Sequence, residues 1–414
     1  MSKIRPKGHS YNVIIISLVL ALKFQTSISY RAIQKVLSTM KLFADLDITP
    51  PSHSTIILWS KKFGLYHIER KIEKSDDWII MLDESIEFGN DKMLAVLGIK
   101  EKDVDFDKAL QYKDLECLAL KISSSWKGVE IKEVLDEVKS KVGQTKYAIA
   151  DMGNAIKKSL DISQISHVED LTHKLSWIIK NIYEKNVEFI SYTKQLAHLR
   201  KTLALSKMSH ILPPTQRVHS RFMNLKPIVD WGLAIIKIYH DRTLLPKEYA
   251  EKLRGILKYK ELLLELSIIV EQAILIQKIL KNKSVSENTI REFEQNLNKL
   301  PNKPNINIFK SEVLLYLNKL RNIKNEKNSK KILCSSDILE SSFGKYKSYI
   351  NNNKSIGITA LALTIPAFLN DYSDKNIVLS AMESIKTKDV KQWRDNNIGD
   401  SLITRRKEIL RKVG

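Results

Sequence analysis

Two aspartates each close a run of apolar residues: Asp83 follows Trp78-Ile79-Ile80-Met81-Leu82, and Asp151 follows Tyr147-Ala148-Ile149-Ala150. A short unbroken apolar run is the pattern of a strand buried on both faces. Ligands of an α/β sheet gather beyond the carboxyl ends of its strands. Two neighbouring strands would therefore set these carboxylates side by side, where they repel unless a divalent cation lies between them. Carboxylate oxygens suit Mg²⁺ or Mn²⁺, and a pair of such ions serves phosphodiester transfer by activating the attacking oxygen and stabilising the leaving one. Taken singly, each Asp is as readily a helix cap or a turn residue.

The candidate third acid is Glu340, in the stretch Ser335 to Lys347. Ser335 or Ser336 caps a helix there, with Glu340 in its early turns. Lys347 lies seven residues on, two turns along the same face, where it would meet a DNA phosphate. Asp337, one turn earlier, is the competing acid, and a plain exposed Glu–Lys pair is the alternative.

The elements that must position these residues follow from periodicity. Met93–Ile99 and Leu115–Ile122 read as further strands, Val129–Val142 as an amphipathic helix, and Ile165–Val168 as a short fifth strand. Before them come three helical stretches: Val13–Phe24, a second capped by Ser29, and a third capped by Ser52 after Pro50-Pro51. Ile56, Trp59 and Phe63 share one face of the third, and Lys61 and Lys62 are expected outside, as in a helix-turn-helix DNA reader. Beyond Asp170 the strands stop, and a helical block too long for a loop runs to about residue 333. A helix over Cys334–Tyr349 and an apolar one over Ile358–Leu369, kinked at Pro366, precede a basic end. The expected organisation is a helix-turn-helix-like domain at 1–72, an α/β core at 73–170 and 334–414, and an all-helical block at 171–333.

Composition bounds the function. The 414 residues carry 68 Lys+Arg against 47 Asp+Glu, a formal +21 with a pI near 9.6. Such an excess favours a polyanionic partner through counterion release, although a Lys-, Ile- and Asn-rich composition is also what AT-rich coding produces. Two cysteines without paired spacing fit neither a zinc site nor a disulfide framework and suggest a reducing compartment. The apolar run Val13 to Leu22 is too short to cross a bilayer and lacks a cleavage site, so a cytoplasmic chain with no membrane association is expected. No Walker-type loop and no Gly-x-Ser-x-Gly occur, which removes support for nucleotide hydrolysis and serine hydrolase chemistry.

The order of these features resembles the DDE transposases, especially those whose ribonuclease H-like core is interrupted by an all-helical insertion. Ile80-Met81-Leu82-Asp83-Glu84-Ser85 resembles their first-Asp strand, and Tyr147-Ala148-Ile149-Ala150-Asp151-Met152-Gly153-Asn154 the second. Glu340 and Lys347 have the Glu-x₆-Lys spacing of many insertion-sequence enzymes. Asp170-Leu171-Thr172-His173 resembles the Asp-x-x-His signature of hAT-like families. Leu333 and Ser336 stand where one insertion-sequence subgroup has Tyr and Arg, which sets this chain apart from that subgroup.

The resemblance implies that Asp83, Asp151 and Glu340 bind two Mg²⁺ or Mn²⁺ ions and carry cleavage and strand transfer. It implies DNA contacts by Lys345, Lys347, Lys61 and Lys62. Trp231 resembles a tryptophan that stacks on a flipped base in such insertions, with a core tryptophan as its other reading. The implied partners are double-stranded DNA, as terminal inverted repeats and target, and a second copy of the chain in the synaptic complex. The implied setting is the nucleoid of a prokaryotic cytoplasm. A non-catalytic DNA-binding relative would share the charge and the N-terminal helices without needing converging acids. A helical scaffold at a membrane surface would explain the basic helices but not the strand-ending aspartates.

Overall fold

The computed structural model describes residues 4–26, 28–43, 49–84, 91–216, 221–241, 243–350, 357–370, 372–398 and 402–411. Ser85 of the first-Asp string and the last residues of the basic end, 412–414, lie outside these. The chain divides into two compact units. The first comprises Met1–Asp105, Leu110–His167 and Ser336–Gly414; the second comprises Phe106–Ala109 and Val168–Ser335.

The first unit is built on a mixed sheet. Its strands are β1 (Ser75–Glu84), β2 (Lys92–Lys100), β3 (Glu116–Ser123) and β4 (Gly143–Ala150); the short β5 (His167–Glu169), of which only His167 belongs to this unit, ends the strand order β3-β2-β1-β4-β5. Strands β1, β2 and β3 form an antiparallel meander, and β4 joins β1 in parallel. The apolar runs that mark β1 and β4 are buried on both faces, since Trp78 to Leu82 and Tyr147 to Ala150 are all at most 1% exposed.

Two helices cover one face: α4 (Gly128–Val142) and α5 (Asn154–Ile162). There Ile80, Leu82, Ala148 and Ala150 pack with Ile131, Val134, Leu135 and Leu160. Between α4 and β4 stands Gly143 at φ +101, and a Cβ on it would lie 2.2 Å from the Ser75 carbonyl oxygen. Only glycine serves both the positive φ and that close approach, which starts β4 in register beside β1.

The N-terminal helices are α1 (Val13–Thr26), α2 (Tyr30–Phe43) and α3 (His53–Glu69). Ser29 and Ser52 cap α2 and α3, accepting hydrogen bonds from Ala32 N–H and Thr55 N–H at 3.1 and 3.2 Å. These helices, expected as a helix-turn-helix-like domain at 1–72, pack together with residues from the far end of the chain. Ile16, Leu20, Ile56 and Phe63 share one core with Ala367, Phe368, Val378 and Met382, more than 300 positions on. Helix α3 is consequently covered on more than one side, with Ser60, Gly64, Leu65 and His67 buried as well as Ile56, Trp59 and Phe63.

The second unit, by itself, is helical: α6 (Leu171–Tyr183), α7 (Val187–Leu203), α8 (Lys226–Ile238), α9 (Lys247–Leu253), α10 (Lys260–Lys283), α11 (Glu287–Asn298) and α12 (Pro304–Glu326). Asp170, Asn186 and Ser286 cap α6, α7 and α11 through their side chains. Its buried aromatics are tied down by hydrogen bonds: the Tyr183 hydroxyl donates to Glu265 at 2.7 Å, and the Tyr192 hydroxyl to the Ile228 carbonyl at 2.5 Å.

The chain then returns to the first unit with α13 (Asp337–Ile350), α14 (Thr364–Phe368), α15 (Lys375–Ser384), α16 (Thr387–Asn397) and α17 (Leu402–Arg411). The apolar stretch read as one helix over Ile358–Leu369 is a 3₁₀ turn at Ala360–Leu363 followed by the single short α14, with Pro366 inside it. No helix among the described residues is long and apolar enough to cross a membrane.

Candidate active site at the ends of two parallel strands

The register of β1 and β4 sets the site. Leu82 pairs with Ala150 in the parallel ladder, so Asp83 and Asp151 come next in line at the same, carboxyl end of adjacent strands. Parallel neighbours are spaced by about 4.8 Å. Side chains alternate along a strand, and Ile80 and Leu82 point toward α4 and α5. Asp83 therefore belongs to the opposite face with Met81, the side on which α13 packs against β1. Both aspartates are half-buried. The Asp151 carboxylate also accepts the Gly153 N–H at 2.9 Å, a short turn that leads the chain into α5.

Helix α13 brings Glu340 and Lys347 to this face. Leu339, Phe343 and Tyr346 anchor it at 0, 5 and 0% exposure. Burial pulls the Lys347 ammonium below the usual lysine range, while the carboxylates of Asp83 and Glu340 pull it back up. Lys347 thus stands in the field of both acids, one from the sheet and one from its own helix.

A further acid, Glu84, was not singled out in the sequence although it adjoins Asp83. Burial raises its carboxyl; Lys92, at 3.8 Å, works against that shift, and the charge of Asp151 adds to it. Two consecutive acids at a strand end were the available signal.

Three acids do not meet. Among the described residues, no group of three or more His, Cys, Asp or Glu is close enough to hold a metal ion together. The donor chemistry and the side-by-side placement of Asp83 and Asp151 fit a hard divalent cation. Like charges repel, and the charge that compensates Asp83 and Glu340 in this arrangement is that of Lys347.

The other expected residues fall elsewhere. Lys62 corrects the expectation of an outward-facing pair on α3. It is only 6% exposed, and its ammonium lies 3.3 Å from His9 Nε2. Lys61 is half-buried as well. Both are covered because α3 is a core helix rather than a helix on the rim. Lys345 sits over aromatic rings, 3.8 Å from the Tyr112 centroid and 5.0 Å from that of Phe368. In the second unit, Asp170 is 1% exposed and its side chain accepts the His173 backbone N–H at 3.0 Å. The Asp-x-x-His spacing is thus also the spacing of a helix cap and the third residue after it. Trp231, on α8, is half-buried and donates its indole N–H to the Ile211 carbonyl at 3.2 Å.

No protein-family model and no curated protein matches the chain. Among solved structures, the chain is similar to the Drosophila P element transposase strand transfer complex. The similarity has 10% sequence identity and a TM-score of 0.46, and covers 90% of this chain and 94% of that one.

Proposed function

We propose that this chain is a DDE-type DNA transposase, cutting DNA at the terminal inverted repeats of a mobile element and joining the freed ends to a target. The observation that carries this reading is the parallel register that sets Asp83 and Asp151 side by side at the strand ends. The sheet order supports a ribonuclease H-like core, since a three-stranded antiparallel meander is extended on the β1 side by parallel β4. The formal charge of +21 supports duplex DNA as the substrate.

Mg²⁺ or Mn²⁺, two ions per site, belongs to the proposal, with Asp83, Asp151 and Glu340 as the residues that would hold it. Such ions activate an attacking oxygen and stabilise a leaving one. The chain's own residues supply the rest. Lys347, two turns beyond Glu340 on α13, offers its ammonium to a phosphate in front of the two aspartates. The buried β1 and β4 backbones fix the aspartates without relying on loops. A homodimer follows from the need to hold two element ends together, and the expected setting is the prokaryotic nucleoid.

The decisive experiment is a strand-transfer assay with Mg²⁺ or Mn²⁺ on DNA carrying the ends that flank the coding sequence. Joining by the wild type, lost in Asp83→Asn, is the expected result. Undiminished joining by Asp83→Asn would remove the residue from the mechanism. A second reading, a DNA-binding protein without catalysis, is favoured by one observation: the three carboxylates do not converge. It expects wild-type protein that binds DNA tightly and joins none.

A further inference from the structure

On its other side α13 borders a groove of about 740 Å³, within the first unit, to which the residues placed at the strand ends do not contribute. Asp337, Ile338, Ser341 and Lys345 form its helical wall. At 100° per residue these fall on a stripe about a third of a turn from Glu340 and Lys347. One helix therefore serves the acids with one face and the groove with the next.

The chemistry of the groove is aromatic and cationic. Tyr112 is fixed from the helix side, since its hydroxyl donates to the Ser341 hydroxyl at 2.5 Å. The Lys345 ammonium is held against the Tyr112 and Phe368 rings, and Lys113 lines the same space. Asp337 is the acid on this wall, and the amides of Gln25 and Gln111 stand at its edge.

We propose that this groove takes an unpaired nucleotide of a DNA strand bound at the neighbouring acids. The inference deepens the transposase reading and rests on it. Aromatic faces stack on any base, lysines hold the adjoining phosphate, and amide groups and a carboxylate meet a base's polar edge. The volume is that of a small-molecule site and admits one or two unpaired nucleotides, not the flank of a duplex. A strand with a phosphate at Asp83 and Asp151 would have a neighbouring nucleotide within a helix diameter, about 10 Å.

The test is fluorescence anisotropy with the full chain and three labelled DNAs: a blunt duplex, the same duplex with a short single-stranded overhang, and that overhang made abasic. The overhang is expected to tighten binding about tenfold, and the abasic overhang to lose that gain. Tyr112→Ala and Lys345→Met should each abolish most of the gain, while Tyr112→Phe, which keeps the ring, retains it. Circular dichroism melts establish that each variant is folded, and Lys345→Met serves should Tyr112→Ala fail to fold. A gain that survives in folded Tyr112→Ala and Lys345→Met overturns the groove assignment while leaving the transposase reading standing. A free deoxynucleoside monophosphate that competes as well as the overhang oligonucleotide overturns the assignment to a strand. Absence of binding to any of the three DNAs overturns both readings.

Discussion

Asp151 and Asp170 occupy nearly identical sequence contexts in different regions of the molecule. Each directly follows a strand, β4 or β5, and each accepts a backbone N–H from just ahead, from Gly153 at 2.9 Å and from His173 at 3.0 Å. Their surroundings separate them. Asp170 is 1% exposed at the start of a helix and is absorbed by capping. Asp151 is half-open, and the strand beside it ends in Asp83 at the same level. A strand-ending aspartate becomes a candidate for chemistry when the sheet supplies a second acid next to it. The helix start alone makes only a cap.

The largest expected effect breaks or confirms that contrast directly. Asp151→Asn keeps the shape and the Gly153 hydrogen bond but removes a charge. It should lower metal-dependent joining by on the order of a thousandfold, with an unchanged thermal melt. Asp170→Asn, equally isosteric and still a good cap, should leave joining per folded molecule unaltered. Comparable losses of joining in the two variants would erase the distinction between the two aspartates.

A second contrast concerns α3, a reader helix by its exposed-lysine pattern and a core helix in the fold. A Cβ on Gly64 would lie 1.7 Å from the Leu363 carbonyl oxygen. Gly64→Ala should therefore destabilise the chain by about 3 kcal/mol, an overpacking effect at a rigid backbone. On a free helix the same change stabilises by about 0.5–1 kcal/mol, because alanine is the better helix former. The sign of the change in a denaturant titration separates the two situations.

These cases show what the sequence makes legible. Apolar runs such as Trp78–Leu82 mark buried strands because both faces are covered, and the residue that ends each run is then placed by local pattern alone. Ser29 and Ser52 were legible as caps for the same local reason. The helical block expected at 171–333 rests on the same local pattern, since the strand-like runs stop after Asp170. The burial of Lys62 and Gly64 was not legible. The residues that cover α3 come from α14 and α15, some 300 positions away, and periodicity carries no information about which distant element lands on which face. The position of Glu340 relative to the aspartates suffers from the same non-locality.

A smaller effect probes capping itself. Asp170→Ala removes the acceptor for the His173 N–H and should cost about 1 kcal/mol, read in denaturant melts. A loss of several kcal/mol would mean that the buried carboxylate does more than cap α6.

An effect of similar size is a change with pH, and it again contrasts a partnered group with an unpartnered one. His67 is fully buried on α3, edge-on to Phe63 with ring centroids 4.6 Å apart, and neither ring nitrogen has a hydrogen-bond partner among the described residues. Burial, with the positive charge of Arg70 adding to it, holds its pKa well below the usual histidine value. The unfolded chain takes up a proton near pH 6.5 while the folded chain does not, so the unfolded state binds more protons as pH falls. Stability from this site is therefore intact above that pH and is lost on acidification. At pH 5.5 the loss amounts to about 1.4 kcal/mol relative to neutral pH. His67→Phe removes the titration and keeps the ring, and subtracting its pH dependence from that of the wild type cancels every other group. Denaturant titrations of both proteins at pH 7.5 and 5.5 should show the wild type losing more stability by that amount. Equal losses would mean that the imidazole is protonated inside the fold, which requires an acceptor that its apolar setting beside Phe63 does not provide.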